Sequence, residues 1–319
     1  MVQSHILENL SDKYVFITGC DSGFGNLLAK QLDKRGMKVL AACLTEKGAE
    51  NLKKEASSRL QTVMLDITDS GSVSSAAKWA TDIVGDAGLW GLVNNAGIGV
   101  PLSPTTWQTK ADFAKVLNVN LLGPFDVTVN FLPLIIKARG RIVNVSSCCG
   151  RLAVVGGGYC PSKFGVEALS DSLRRELCDF GVKVSIIEPG GFKTPMCMTE
   201  TQVKPVEHLW SNLPSQIKDY FGEQYYQKYI QNLTDLLAKS SPNLYYVTDC
   251  MEHALTAVHP WARYSPGLDC KLYYIPMSYL PTVLSDFLLC RLSPKPAYYL
   301  KAHLHGAMIA QKSLKRQFA

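Results

Sequence analysis

Short apolar segments alternate with amphipathic segments from residue 13 to residue 187. Apolar runs of this length favour buried strands, and the amphipathic segments between them favour helices. The predicted strands cover residues 13–18, 39–43, 62–65, 89–93, 141–145 and 182–187, and the predicted helices cover residues 26–35, 70–84, 109–134 and 159–180. Because strands that alternate with helices join by right-handed crossovers, the chain is predicted to be an α/β protein with a doubly wound, Rossmann-like parallel sheet.

A polar or glycine-rich motif follows most of the predicted strands. These motifs lie at residues 18–25, at Asp66, at residues 94–97, at residues 146–147 and at residues 188–190. The carboxyl ends of parallel strands share one edge of a sheet, and ligands bind at that edge in folds of this kind. The sequence therefore predicts a single ligand site there.

The first motif has the composition of a dinucleotide-binding loop. It reads Thr18-Gly-Cys-Asp-Ser-Gly-Phe-Gly25 and lies between a predicted strand and a predicted helix. Glycines let the backbone approach a pyrophosphate closely, and the N-terminus of the helix presents N–H groups and a positive dipole to it. The loop therefore favours a dinucleotide cofactor.

Tyr159 and Lys163 lie one turn apart at the start of a predicted helix. A phenol ordinarily ionises near pH ~10, and a nearby ammonium group is expected to lower that pKa. Tyr159 is therefore a candidate general acid/base. Because a tyrosine and a lysine at this spacing occur by chance on many helices, the interpretation depends on the other motifs.

Taken together, the motifs resemble the short-chain dehydrogenase/reductase family over about residues 13–194. The matching features are the glycine-rich loop, Asn94-Asn-Ala-Gly97, Asn120, Ser147, Tyr159-x-x-x-Lys163 and Pro189-Gly190. Residues 16–25, 41–46 and 250–255 resemble more closely the branch of retinol dehydrogenases and 3α/17β-hydroxysteroid dehydrogenases, including the type 6 enzyme.

The resemblance implies four catalytic residues. Tyr159 would exchange the proton of the substrate hydroxyl while hydride leaves its carbon for the nicotinamide, and Lys163 would lower the pKa of Tyr159 and hold the nicotinamide ribose. Ser147 would bind the substrate oxygen beside Tyr159, so these two residues also form the predicted substrate site. Asn120 would anchor a water molecule that links Lys163 to solvent.

The resemblance also implies a set of cofactor-binding residues. These are Thr18, Gly19, Asp21, Ser22, Gly23, Phe24, Gly25, Asp66, Ile67, Asn94, Asn95, Ala96, Gly97, Tyr159, Lys163, Pro189, Gly190 and Thr194. NAD is favoured over NADP, because Asp21 would repel the 2′-phosphate that distinguishes NADP. The aspartate by which the family usually selects NAD is missing from the end of the second strand, and Lys47 lies just beyond it.

The predicted function is NAD-dependent oxidation of a lipophilic alcohol, either retinol or a 3α/17β-hydroxysteroid. Two alternatives remain open at this point: an NADPH-dependent reductase of retinal or a ketosteroid, and a non-catalytic retinoid- or steroid-binding protein. The net charge is +6, and basic residues are scattered until the C-terminal tail, which does not favour nucleic acid. The ten cysteines lack metal-ligand spacing, so no metal site is predicted.

Beyond the predicted cofactor-binding and catalytic core at residues 13–194, the βα alternation stops. Residues 195–246 are predicted to form a helical substrate lid on the same domain. Residues 247–294 are predicted to contain a helix at 249–258, an edge strand at 271–275 and an apolar segment at 279–292. Residues 295–319 form a basic tail.

Neither a signal peptide nor a membrane-spanning helix is predicted, although many members of the resembling branch carry an N-terminal membrane helix. The apolar C-terminal segment is expected either to pack on the domain or to lie on a membrane surface. The expected location is therefore peripheral on the endoplasmic reticulum or cytoplasmic. A homodimer that forms through the long helices beside the sheet is also expected.

Overall fold

A parallel sheet forms the centre of the structure, a computed structural model that describes residues 5–300. In this part of the chain the sheet has seven strands in the order β3-β2-β1-β4-β5-β6-β7. The strands are β1 (Tyr14–Ile17), β2 (Lys38–Cys43), β3 (Leu60–Met64), β4 (Gly91–Asn94), β5 (Arg141–Val145), β6 (Lys183–Ile187) and β7 (Arg263–Tyr264). Every neighbouring pair is parallel, as predicted for a doubly wound fold.

Helices cover both faces of the sheet. They are α1 (Gly23–Lys34), α2 (Glu46–Lys54), α3 (Ser70–Val84), α4 (Lys110–Leu117), α5 (Gly123–Ala138), α6 (Tyr159–Glu176), α7 (Thr199–Asn212), α8 (Ser215–Phe221), α9 (Glu223–Ala238), α10 (Tyr245–Thr256), α11 (Ile275–Ser278) and α12 (Thr282–Leu292). Alternate residues of β1 face opposite helical layers. Val15 and Ile17 pack with α1 and α10, whereas Phe16 packs with α3, α5 and α6.

The predicted edge strand at residues 271–275 was wrong. Residues Cys270–Tyr274 form a π-helical turn that continues into α11. The last strand is β7, which pairs with β6 through Arg263 and Tyr264. A short apolar run such as Lys271-Leu-Tyr-Tyr-Ile275 does not by itself distinguish a strand from a helix.

A helix that the sequence did not predict, α2, follows β2 directly. Its N-cap is Thr45, whose hydroxyl accepts a hydrogen bond from the Gly48 N–H at 3.0 Å. The helix is short and strongly charged, so its apolar periodicity is weak. Only Ala49 and Leu52 contribute large buried apolar surface to the core.

The longest helical segment, Lys110–Ala138, joins α4 and α5 through a π-helical turn at Asn118–Leu122. Its length and composition would allow it to cross a membrane. It also contains Pro133 and charged residues such as Asp126 and Lys137. In this fold Val127, Phe131 and Ile135 are fully buried against the sheet, so the segment serves as a core helix.

Residues 195–246 form α7, α8 and α9, which pack around a separate aromatic cluster. Trp107 from the core contacts Trp210 and Tyr229, and Trp210 stacks on Tyr226 with ring centroids 4.8 Å apart. This cluster ties the three helices to the loop before α4, and Tyr229 also donates to the Leu102 carbonyl. The chain therefore remains one domain, and the boundary at residue 194 stays a prediction. Residues 301–319, which belong to the predicted basic tail, lie outside the described residues.

Candidate active site

A cavity of about 670 Å³ opens at the carboxyl ends of β1 to β6. The predicted site residues that line it are Gly19, Asp21, Ser22, Gly23, Phe24, Asp66, Ile67, Asn95, Ala96, Gly97, Ser147, Tyr159, Lys163, Pro189, Gly190 and Thr194. Residues from six strand ends thus meet in one space, where the sheet topology predicts a ligand site.

The glycine-rich loop leaves β1 and runs directly into α1. Gly19 has φ +71° and Gly23 has φ +63°, a backbone region that residues with a Cβ rarely adopt. A Cβ on Gly25 would overlap the Gly19 carbonyl, so this glycine allows the loop and α1 to approach each other. Because α1 begins at Gly23, its N-terminus lies at the cavity and suits a pyrophosphate.

Asp21 reaches from the glycine loop to the end of β2. Its carboxylate accepts hydrogen bonds from the Leu44 N–H at 2.8 Å and from the Thr45 N–H at 2.9 Å. It also accepts a bond from the Thr45 hydroxyl at 2.7 Å. A negative charge therefore occupies the end of β2, although no acidic residue of β2 itself supplies it. Leu44 and Thr45 line the cavity and were not predicted.

Ser147 follows β5 and is buried beside Tyr159, the first residue of α6. The Ser147 Oγ accepts from the Cys149 N–H at 3.1 Å and can donate to the Pro189 carbonyl at 3.5 Å. Burial raises the pKa of Tyr159 well above its ordinary value, and a hydrogen bond from Ser147 opposes part of this rise. The phenol is therefore neutral near pH 7.

Lys163 lies one turn after Tyr159, with its Nζ 5.7 Å from the centroid of the tyrosine ring. The Nζ donates to the Val145 carbonyl at 2.9 Å, and burial lowers the pKa of Lys163 to about 8. The sequence analysis predicts that this lysine lowers the pKa of Tyr159, and that effect stays a prediction. In the protein alone, the loss of hydration around the phenol is the largest effect, so the net shift of the Tyr159 pKa is upward.

The remaining predicted site residues, Thr18, Gly25, Asn94 and Asn120, lie behind the cavity wall. The Thr18 Oγ1 accepts from the N–H groups of Asn95 and Ala96, each at 3.0 Å, and so holds the β4 end against the glycine loop. The Asn94 side chain points away from the cavity and donates to Thr128 and Asn144. The Asn94 side chain therefore packs in the core and does not line the cavity as a cofactor-binding residue would.

Asn120 is buried in the π-helical turn between α4 and α5. Its side chain accepts from the Ile98 N–H and donates to the Ile98 carbonyl, both at 2.8 Å, and it donates to the Ser162 hydroxyl at 3.0 Å. These bonds fix the loop after β4 beside α6. The water-anchoring role of Asn120 stays a prediction.

A network of two buried glutamates and two half-buried arginines links the ends of β5 and β6 with α6. Glu188, at the end of β6, pairs with Arg151 at 3.0 Å and with Arg263 at 3.3 Å. Arg263 also bonds Glu167, which lies one turn after Lys163, at 3.2 Å. Burial raises the pKa of Glu167 to about 7. The sequence analysis missed this network, because its members lie 37 to 96 residues apart.

Asp269 is a further residue that the sequence analysis missed. Its carboxylate accepts from the Gly191 N–H at 2.7 Å, and it leaves no room for a Cβ on Gly190. It therefore fixes the backbone of the loop after β6, which borders the cavity. No local pattern marks this residue, since its partner is 78 positions away.

Part of the cavity wall is built from residues that the motifs did not identify. It includes Val100, Met196, Cys197 and Thr201, the last three of which lie two to seven positions after Thr194. The charged residues of the cavity lining are Asp21, Asp66 and Lys163. The four residues of this wall are uncharged, so they suit an apolar group.

Residues 13–204 match the family model of the short-chain dehydrogenases. The chain belongs to this family. Rat (Rattus norvegicus) retinol dehydrogenase 7 is 58% identical over 292 residues, which is 92% of each chain. Mouse (Mus musculus) retinol dehydrogenase 16 is 58% identical over 291 residues, 91% of this chain and 92% of the relative. The human (Homo sapiens) short-chain dehydrogenase/reductase family 9C member 7 is 55% identical and covers 92% of this chain and 94% of the relative.

Solved structures of short-chain dehydrogenases share the fold. One from Streptomyces avermitilis has a TM-score of 0.67 at 22% identity and covers 96% of this chain and 99% of its own. A 3-ketoacyl-(acyl-carrier-protein) reductase from Brucella melitensis, complexed with NADH, has a TM-score of 0.55 at 28% identity. The match covers 58% of this chain and 77% of the reductase. This short-chain dehydrogenase lies in the retinol dehydrogenase branch and is an NAD(P)-dependent alcohol dehydrogenase.

Proposed function

We propose that this short-chain dehydrogenase uses NAD to oxidise the hydroxyl group of a lipophilic alcohol, with retinoids as the first substrate class and 3α/17β-hydroxysteroids as the second. One observation carries the proposal: Ser147, Tyr159 and Lys163 share a cavity with the glycine loop and with an uncharged wall that includes Val100, Met196 and Cys197. The names of the relatives, retinol dehydrogenases 7 and 16, support the retinoid class.

Ser147 and Tyr159 bind the hydroxyl oxygen of the substrate and orient its carbinol carbon in the cavity. When bound, the oxidised nicotinamide would supply the hydride acceptor and a positive charge that favours the Tyr159 phenolate. As the phenolate, Tyr159 takes the hydroxyl proton while the alcohol becomes a carbonyl. Lys163, with a pKa of about 8, is mostly protonated at pH 7, and its charge also favours the phenolate. Ser147 stabilises the charge that develops on the oxygen.

The residues around the cavity fit a nicotinamide dinucleotide. Residues 19–25 would hold the pyrophosphate, and Asp66 and Ile67 would contact the adenine. Asn95, Ala96 and Gly97 would lie along the adenosine, while Lys163 would bind the nicotinamide ribose. Pro189, Gly190 and Thr194 would close over the nicotinamide ring. The N-terminus of α1, which begins at Gly23 on the cavity wall, supports this fit.

NAD is the preferred cofactor in this proposal because the Asp21 carboxylate occupies the end of β2. Asp21→Asn is expected to lower the KM for NADP about tenfold or more, since it removes repulsion of ~1.4 kcal/mol or more from the 2′-phosphate. The KM for NAD should change less. Steady-state kinetics with both cofactors measures the ratio of the KM for NADP to the KM for NAD. Asp66→Asn is the matched control, because adenine is common to both cofactors. An unchanged NADP/NAD ratio in Asp21→Asn would contradict this assignment.

The substrate class is tested by following cofactor reduction with all-trans-retinol and androsterone in parallel. We expect NAD-dependent turnover of retinol. NADPH-dependent reduction of retinal or of a ketosteroid, without oxidation of the corresponding alcohol, would support the reductase alternative. Tight retinoid binding without turnover in either direction would support the binding-protein alternative, which the presence of Ser147, Tyr159 and Lys163 argues against.

A homodimer through α5 and α6 is also part of the proposal. Leu122, Phe125 and Val129 form an exposed apolar stripe along one helix face, and Phe164 is exposed on the neighbouring α6. Leu121 and Gly165 contact each other between the two helices, so the exposed residues form one patch. Phe125→Ser with Phe164→Ser should convert the dimer to monomer in sedimentation velocity. Phe180→Ser, at an exposed phenylalanine outside the patch, should leave the dimer intact. A wild-type monomer at all concentrations would refute the dimer.

The proposed location is peripheral on the endoplasmic reticulum membrane, with the cytoplasm as the alternative. A lipophilic substrate dissolves in membranes, which favours a surface location for the enzyme that consumes it. Fractionation of cells that express the full chain distinguishes the two locations. Recovery in the soluble fraction at physiological salt would contradict the membrane location.

A further inference from the structure

A buried carboxyl group lies on α6 one turn beyond Lys163. Tyr159, Lys163 and Glu167 are spaced by four residues, so they follow one another along a single face of the helix. Glu167 is 7% exposed, and its Oε1 has no hydrogen-bond partner among the described residues. A buried carboxyl with an unpartnered oxygen is costly to the fold, so a glutamate at this position indicates a role beyond packing.

The turn that follows Ser147 packs on the helix between Lys163 and Glu167. A Cβ on Gly150 would meet the Lys163 carbonyl at 2.9 Å and the Glu167 Cγ at 3.1 Å, so this glycine lets the turn approach α6. The Ser146 hydroxyl donates to the same Lys163 carbonyl at 3.3 Å. Because the side chains of Lys163 and Glu167 are both less than a tenth exposed, their charges interact with little screening by water.

Charged residues from other elements also face Glu167. Arg263 of β7 donates to the Glu167 Oε2 from its Nε at 3.3 Å and from a terminal nitrogen at 3.2 Å. Burial raises the pKa of Glu167 to about 7, and the charge of Glu188 at the end of β6 adds to the rise. The Ser146 hydroxyl and the charges of Arg263 and Arg151 act in the opposite direction. Glu167 therefore changes its charge near neutral pH.

Lys163 has a different set of neighbours. Its Nζ donates to the uncharged Val145 carbonyl at 2.9 Å rather than to a carboxylate. Burial lowers the pKa of Lys163 to about 8, and the Cys149 thiol and Glu167 act against this fall. A hydrogen bond with Cys148 and burial hold the pKa of Cys149 far above its ordinary range, so this thiol stays neutral while Lys163 titrates. Glu167 is therefore the group whose negative charge favours the Lys163 ammonium.

We propose that Glu167 is a positioning residue for the reaction: its carboxylate keeps Lys163 charged, and Lys163 in turn favours the phenolate of Tyr159. The second step rests on the proposed function, whereas the coupling between Glu167 and Lys163 depends on no substrate. Glu167 does not line the cavity, so it acts on the reaction only through Lys163. Because Glu167 becomes charged as the pH rises through neutrality, it supports Lys163 in the range where burial would otherwise remove the lysine proton.

The test measures the pKa of Lys163 by NMR titration of the full chain, labelled with ¹³C in the lysine side chains. Lys163→Met identifies the Lys163 signal. Glu167→Gln removes the negative charge at nearly constant volume, and it is expected to lower the pKa of Lys163 by about 0.5 or more.

Asp171→Asn is the matched control. Asp171 also pairs with Arg263, at 3.0 Å, but it lies two helical turns from Lys163. Its substitution should leave the pKa of Lys163 within about 0.2 of the wild-type value, because the interaction of charges weakens with distance. An unchanged Lys163 pKa in Glu167→Gln would overturn the proposal. An equal fall in both variants would also overturn it and would leave Glu167 as a residue that only holds Arg263.

A reciprocal variant gives an independent measurement if Glu167→Gln does not fold. Coupling between two proton-binding sites acts equally in both directions. Lys163→Met should therefore raise the pKa of Glu167 above its wild-type value of about 7, by the amount that Glu167→Gln lowers the pKa of Lys163. Titration of ¹³C-labelled glutamate carboxyls measures this change. A Glu167 pKa that stays at its wild-type value would contradict the coupling.

The pH profile of kcat/KM separates this inference from the proposed function. Its alkaline limb reports loss of the Lys163 proton, so it should move to lower pH in Glu167→Gln and stay in place in Asp171→Asn. A loss of kcat/KM that is equal at every pH would instead show a structural role for Glu167 and overturn the proposal. A lowered Lys163 pKa without oxidation of any alcohol would refute the proposed function and leave the coupling between Glu167 and Lys163 standing.

Discussion

Tyr159→Phe is expected to lower kcat by about 10³-fold, because general acid–base catalysis typically contributes 10²- to 10⁴-fold. The substitution removes one hydroxyl that hydrogen-bonds Ser147 and leaves the ring in place. The affinity for NAD should stay within about twofold, since the ribose contact is assigned to Lys163. Turnover is measured by cofactor reduction, and NAD affinity by quenching of tryptophan fluorescence.

Tyr274→Phe provides the matched control for this substitution. Tyr274 packs on the same cluster of cysteines as Tyr159, and burial raises the pKa of both phenols. It does not line the cavity, so its loss should leave kcat nearly unchanged. If Tyr159→Phe retains more than a tenth of the wild-type kcat, the proton is carried by another group and the proposed mechanism fails.

Lys163→Ala is expected to lower kcat by about 10²-fold or more and to weaken NAD binding about tenfold. The variant removes the charge that favours the phenolate and the proposed partner of the nicotinamide ribose. Lys163→Met keeps most of the side-chain volume and so separates loss of charge from loss of packing. Lys137→Met, at an exposed lysine that pairs with Asp86, is the control for removal of a positive charge elsewhere. Wild-type NAD affinity in both Lys163 variants would exclude the ribose contact.

The same variants have a pH dependence that does not rely on activity. Burial lowers the pKa of Lys163 to about 8 in the folded chain, against an ordinary value near 10.5. Between these values the unfolded state binds a proton that the native state lacks, so the contribution of Lys163 to stability rises with pH in this window. Lys163→Met should therefore gain more unfolding free energy relative to the wild type at pH 7 than at pH 10. Denaturant titrations at the two pH values measure the difference, and equal gains would show that the native lysine is not desolvated.

Local patterns were sufficient for the fold because buried parallel strands are short, apolar and regularly spaced. β1, β2, β5 and β6 occur where the sequence predicted strands, and the motifs that follow them line one cavity. The failures have local causes as well. The short apolar run at residues 271–275 fits a strand as well as a helix, so its composition does not distinguish them. Helix α2 has too few apolar residues to show a helical pattern.

The sequence by itself determined the strands β1 to β6, the family and most of the residues that line the cavity, because each of these depends on residue types at fixed short spacings. Only the tertiary structure decided which groups face each other across long separations, such as Asp21 against β2 or Glu167 against Arg263. It also decided that the pKa of Tyr159 rises and that the apolar face of α12 is left uncovered. Desolvation and exposure depend on all the residues that pack around a side chain, many of which are distant in sequence. A local sequence pattern therefore cannot predict them.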